Sequence, residues 1–286
     1  MRRYNLYHAF ITLINTYSIW VVVGSFSMYL FFSHVFEVTP NYVVGIGLSL
    51  GLWVIYTLDH IFDGVKLRDK ASSIRHLKHY DQQRPIVFAL IIALSILVTM
   101  AFQLSTVYYG YVFGLFILTV IHFLMNHIVS IRIASIRFLK EAFIALVVSI
   151  GFVYTPLVEI NNPMDWVQFF CLFSVICALN FSNLLIFSLF DRKSDYEDKM
   201  LSLAHFLSST TLKSVIYVSL GGSFLFLCLT LFFGYLIWVE FFVILAMQLS
   251  LGWIVYRYEY YQDFDKYRFY GDFIYVYPLV VWPFLY

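Results

Sequence analysis

The chain has 286 residues, 62% of them hydrophobic and only 12% charged, with a mean hydropathy of +0.81 and a formal net charge of +1. An ordinary soluble domain carries about 25% charged residues, so a soluble globular protein is excluded and an integral membrane protein is indicated, with the lipid bilayer as a partner and no nucleic acid expected. Cys171, Cys177 and Cys228 all fall within apolar runs and are expected as packed thiols rather than as a disulfide framework or a zinc site.

Apolar runs recur along the chain at about the 20 residues a helix needs to cross a bilayer core. In chain order they predict spans over 8–32, 42–62, 85–104, 107–127, 138–157, 166–190, 214–233, 238–256 and 271–286. The fold expected is all-α, a single polytopic domain over 1–286. The first run is too long for a signal-peptide core and lacks a small-residue cleavage site, so it is expected to remain as a span. The last is short and holds Pro278 and Pro283.

With these spans, all 18 basic residues fall on one side of the membrane. Arg2 and Arg3 precede the first span, six more follow the second, and the rest follow the fourth, sixth and eighth. The opposite connections carry only His34, Glu37, Glu159, Asp165 and Glu240 as ionisable groups. The positive-inside rule then puts the N-terminus in the cytoplasm and the C-terminus on the opposite side.

Two stretches stand out. In 56–66, YTLDHIFDGVK, the second span ends on Asp59 and Asp63; in 183–199, NLLIFSLFDRKSDYEDK, the sixth ends on Asp191, Asp195 and Asp198. On a helix, Asp59 and Asp63 lie about 40° apart, and Asp191, Asp195 and Asp198 share an arc of about 60°. Carboxylates held that close repel unless a cation lies between them, and a hard divalent ion, Mg²⁺, is the natural one. A solvated helix end is the plainer account of each cluster alone.

Asn180 and Asn183 continue the Asp191 face toward mid-membrane, interrupted by Phe187 and flanked by Ser188; Tyr56 shares the face of Asp59 and Asp63. Polar groups at that depth face protein or a wet cavity, as a pocket wall or as helix-to-helix hydrogen bonds. Asn15 and His122 are expected as packing or hydrogen-bonding groups. The basic loop 64–84 suits anionic headgroups, and beside the acidic cluster Arg75 and Arg84 suit the outer oxygens of a phosphate. Arg137 and Lys140, at the cytoplasmic entry to the fifth span, suit the same anion, although topology alone would also place them there. Asp272 reads as a helix-start carboxylate.

This pattern resembles the UbiA-type superfamily of intramembrane prenyltransferases, in which two Asp-rich motifs sit at the cytoplasmic ends of spans two and six. Asp191-Arg192-Lys193-Ser194-Asp195 matches the second motif. In the first, Asp59 and Asp63 align with the family's last two aspartates, while Ile55 and Tyr56 stand where it has Asn and Asp. Lys140 is similar to the family's basic residue between spans four and five, with Ile136 where a Tyr is usual. The resemblance implies nine transmembrane helices around a central cavity open to the cytoplasmic side, with Mg²⁺ held by Asp59, Asp63, Asp191, Asp195 and Asp198. It further implies a polyprenyl diphosphate donor gripped by Arg75, Arg84, Arg137, Lys140 and Lys199, and a hydrophobic acceptor near Tyr56, Asn180, Asn183 and Phe187. The activity implied is transfer of the prenyl group to an aromatic or lipid acceptor. A membrane terpene cyclase on the same scaffold, a non-catalytic binding protein and a cation or metabolite transporter are the alternatives.

Overall fold

The computed structural model describes residues 6–67, 74–125, 134–158, 165–198 and 203–282, excluding the side chains of 74–76, 79 and 134–138. Every regular element among them is helical: α1 (Leu6–Tyr17), α2 (Ile19–Val35), α3 (Tyr42–Leu67), α4 (Ile74–Asp81), α5 (Gln83–Ala101), α6 (Val107–Leu124), α7 (Ala134–Tyr154), α8 (Trp166–Glu197), α9 (Ser209–Phe232), α10 (Trp238–Tyr256), α11 (Tyr258–Gln262), α12 (Lys266–Phe273) and α13 (Tyr277–Val281), with short 3₁₀ turns between some. Seven are long and apolar enough to cross a membrane, α3 and α5 to α10, or eight if the bent pair α1 and α2 counts as one span.

The core is built around α8. Asp165 starts it cleanly by accepting hydrogen bonds from Val167 N and Gln168 N at 2.9 and 3.1 Å. Its 32 residues run about 48 Å, well beyond a hydrocarbon core of about 30 Å. Leu172, Val175, Ile176, Leu179 and Ile186 are fully buried within an arc of about 100°, and Leu185, Ser188 and Leu189 are buried on the other side of its second half. It packs against α7 and α9. Ser219 and Ser223 of α9 donate to the carbonyls of Ala178 and Val175, and Gln248 of α10 donates to Ser223 Oγ at 2.7 Å, so hydroxyls fasten the three helices together. By contrast α6 is only 11% buried over its most apolar window, against 56% for α8, so α6 presents its apolar side chains outward, as a lipid-facing helix does.

Two regions depart from the expected spans. The first span is broken: α1 and α2 meet at 67°, with Ser18 in the left-handed region at φ 52°. The carbonyl of Tyr17 at the break accepts from Trp53 Nε1 at 2.9 Å, and Asn15 Nδ2 donates to Asp265 O at 3.0 Å, so α3 and the α11–α12 turn brace the bend. At the chain's end, none of the pieces over 266–282 is long enough to count as a span, yet α12, the 3₁₀ turn Ile274–Val276 and α13 follow one another without a gap. Pro278 explains the tightened turn, since its ring clashes with the carbonyl four residues back and it has no N–H to give. This segment is inserted into the bundle. The Cβ position of Gly24 on α2 lies 2.7 Å from Tyr275 Cβ, Leu279 N donates to Ser27 Oγ, and Ile274 is fully buried.

Candidate functional site

The second predicted span runs on to Leu67, so Asp59 and Asp63 lie in the last turns of α3 rather than at its tip. Between them stands His60. One ligand atom from each of Asp59, His60 and Asp63 falls within 4.8 Å of the others, the only such group among the described residues. The geometry follows from the helix, because residues i, i+1 and i+4 span about 100° of its circumference. The two aspartates are half-buried and His60 is buried. Two carboxylates suit a magnesium ion that keeps water or phosphate oxygens in its other positions, and the imidazole widens the choice to manganese, iron or zinc. The donor set therefore fits a divalent cation. The ring of Tyr56 packs edge-on against His60, with centroids 4.6 Å apart.

The second acidic motif is built differently. Tyr267 donates its hydroxyl to Asp191 Oδ1, and Arg268 pairs through Nη2 with Oδ2, so both carboxylate oxygens are taken by α12. The Arg268 and Asp191 side chains are only 11% and 15% exposed. Burial opposes the charge on Arg268, but Asp191, with Tyr267, Tyr56 and Asp265 nearby, outweighs it and holds the guanidinium protonated well above its ordinary value. A divalent ion on the same carboxylate, about 4 Å from that guanidinium, would meet repulsion of about 8 kcal/mol at an effective dielectric of 20.

Aromatic rings and a glycine set this arrangement. Phe190 is stacked between Tyr258 and Tyr267, at 4.4 and 4.5 Å, and the Arg268 guanidinium lies over Phe187 at 4.9 Å. Gly271 lets α12 touch α8: a Cβ there would stand 2.7 Å from Asn183 Oδ1 and 2.8 Å from Phe187 Cε1. One turn further on, Tyr275 donates to Asn180 Oδ1 at 2.6 Å, while Asn180 Nδ2 donates to Ser149 Oγ of α7 at 2.8 Å. Asn180 thus serves as a helix-to-helix hydrogen-bonding group. Asn183 also meets the Tyr275 hydroxyl, and its buried Oδ1 has no hydrogen-bond partner among the described residues.

Tyr56 ties the two motifs together, since it touches His60 on its own helix and lies within range of the Arg268 charge. Asp195 is half-buried and Asp198 buried at the end of α8. Arg192 is directed away, donating to Ser209 Oγ of α9 at 2.7 Å. Arg84 is exposed in the first turn of α5, and Lys140 is half-buried beside Glu141, whose Oε1 accepts from Ser188 Oγ and Leu203 N at 3.4 Å. Lys199 and the side chains of Arg75 and Arg137 lie outside the described residues. The spacing of the sequence does not single out His60, Tyr267, Arg268 or Tyr275. His60 was visible inside DHIFD, whereas Arg268 looks like any basic residue that topology places in a cytoplasmic connection. No family model, curated protein or solved structure matches this chain.

Proposed function

We propose that the protein is an intramembrane prenyltransferase that moves a polyprenyl group from its diphosphate to an aromatic or lipid acceptor, with a divalent cation, Mg²⁺, as cofactor. The observation that supports this reading is the convergence of Asp59, His60 and Asp63 at the end of an apolar helix, next to a ring-lined polar face on α8 and α12. Nine spans surround a cavity open to the cytoplasm, with the bent α1–α2 pair as the first and 271–286 as the ninth. The N-terminus is cytoplasmic and the C-terminus lies opposite.

In the reaction the allylic carbon–oxygen bond breaks, its electron pair leaves with the diphosphate, and the acceptor bonds to the allylic carbon and loses a proton. A bound divalent cation supplies electrostatic stabilisation of the departing diphosphate. Asp59, His60 and Asp63 hold and orient the ion, and Arg84 and Lys140 add positive charge at the mouth. Phe187 and Tyr56 line a water-poor wall where the acceptor, rather than water, captures the allylic cation. The test is diphosphate release from geranylgeranyl diphosphate by purified protein in nanodiscs, with and without an aromatic acceptor. Magnesium-dependent release that needs the acceptor and is lost in Asp63→Asn is expected. Equal release by wild type and Asp63→Asn would refute the assignment, and a cyclic hydrocarbon formed without acceptor would replace it with a cyclase.

A further inference from the structure

Arg268 is a buried cation placed on the carboxylate that the resemblance reserves for metal. Both oxygens of Asp191 are occupied by α12 donors, so the two acidic motifs are not equivalent ligand sets. A guanidinium has five N–H donors in a rigid fork, and among the described residues the Nη2 contact to Asp191 is the single hydrogen bond Arg268 makes. Its guanidinium carbon lies over the rings of Phe187 and Tyr267, at 4.9 and 5.6 Å, and the side chain keeps 11% of its surface exposed. Tyr56 of α3 lies within electrostatic range of it, and the Tyr56 ring packs edge-on against His60 of the candidate metal group.

We propose that Arg268 is the site's second cation: it takes the place of a second metal ion at Asp191, leaves the site with one divalent cation on α3, and binds the diphosphate group held by that cation. This rests on the prenyl-diphosphate reading. A guanidinium recognises phosphate through paired, charge-assisted hydrogen bonds, and Asp191 keeps the fork oriented before the anion arrives. Arg268 is in this sense a preformed half of the anion site. It also explains why α12 is packed so closely on α8 at Gly271, since a displacement of α12 by a side chain there would carry the guanidinium away from Asp191.

The experiment counts Mn²⁺ on the full chain in nanodiscs by electron paramagnetic resonance, with and without inorganic pyrophosphate, and measures pyrophosphate affinity. Wild type is expected to bind one Mn²⁺ under both conditions, without the spin-coupled signal of a metal pair. Because Arg268→Met alone strands the Asp191 carboxylate, the informative variant is Arg268→Met/Asp191→Asn, which removes both charges. It should still bind one Mn²⁺ but lose at least tenfold in pyrophosphate affinity, with Arg268→Lys in between. A coupled pair of Mn²⁺ ions in wild type, or a double variant with pyrophosphate affinity within twofold of wild type, overturns the proposal. Mn²⁺ binding that is indifferent to Asp63→Asn sinks instead the metal site on α3 and the reading built on it, so the two failures are told apart.

Discussion

Asp59 and Asp63 on α3 have the same four-residue spacing as Asp191 and Asp195 on α8, near the C-terminal ends of two long helices, yet they meet different neighbours. On α3 the carboxylates converge with an imidazole from their own helix and form a group of metal-ligand geometry. On α8 the first carboxylate is closed off by a tyrosine and an arginine from 76 and 77 residues further along the chain. Spacing along a helix decides which side chains share a face. What lies across from that face decides what the shared charge meets, and at Asp191 it meets a tyrosine hydroxyl and a guanidinium.

The sharpest way to break this contrast is to remove one charge from each motif and compare what each removal costs, in stability on α8 and in metal affinity on α3. Arg268→Met leaves the Asp191 carboxylate in a largely dry setting with only Tyr267, and breaking a buried pair in this way costs about 3–5 kcal/mol. Thermal unfolding in detergent should show a large loss, most of it recovered when Asp191→Asn is added, because the stranded charge disappears. If single and double variants melt alike, the pair is not energetically coupled. Asp63→Asn removes one carboxylate from the α3 group, and Mn²⁺ affinity should fall by more than the roughly 10–100-fold that loss of a mere supporting group costs. A titration showing unchanged affinity would mean that the α3 group is a solvated helix end.

The shared face of Asp59 and Asp63 was legible because both lie within five consecutive residues of one helix, where geometry is fixed by the 3.6-residue period, whereas His60 between them was not singled out. The long apolar helices were legible for a related reason, since a bilayer requires an uninterrupted apolar run of known length. Arg268 was not legible. Its role depends on α12 turning back onto α8 through Phe264 and Asp265, both in the left-handed region with φ near 55° and 53°; aspartate is enriched there, but Phe264 gives no sign of such a turn. The break at Ser18 was hidden in the same way, with no proline or glycine beside it and φ 52° on a serine. The interruption near Pro278 could be anticipated from the residue itself, but not the fact that the segment around it would be buried between α2, α8 and α10.

Gly271→Ala probes how α12 is held. In an ordinary helix this change helps by about 1 kcal/mol, because alanine is the better helix former. Here the added methyl would stand 2.7 Å from Asn183 Oδ1 and 2.8 Å from Phe187, so overpacking at about 1–3 kcal/mol decides the sign and the protein should melt earlier. An unchanged or raised melting temperature would show that α12 has room to retreat from α8.

The smallest effect expected is that of Tyr275→Phe, and it tests whether the two motifs are separable. The change removes the hydroxyl that donates to Asn180 Oδ1 at 2.6 Å and leaves the ring beside that of Phe152 on α7, with centroids 5.8 Å apart. Asn180 keeps the bond from its Nδ2 to Ser149 but its Oδ1 loses a donor, so the loss should lie at about 1 kcal/mol, the low end of the cost of an unsatisfied buried acceptor. Tyr275 lies on α8's side of the contrast, with no part in the Asp59, His60 and Asp63 group, so Mn²⁺ affinity measured by titration should not move. A fall in Mn²⁺ affinity with Tyr275→Phe would mean that the hydrogen-bonded face of α8 reaches the α3 ligands through Tyr56, which lies within range of both Arg268 and Tyr275, and the two motifs would then have to be treated as one coupled site.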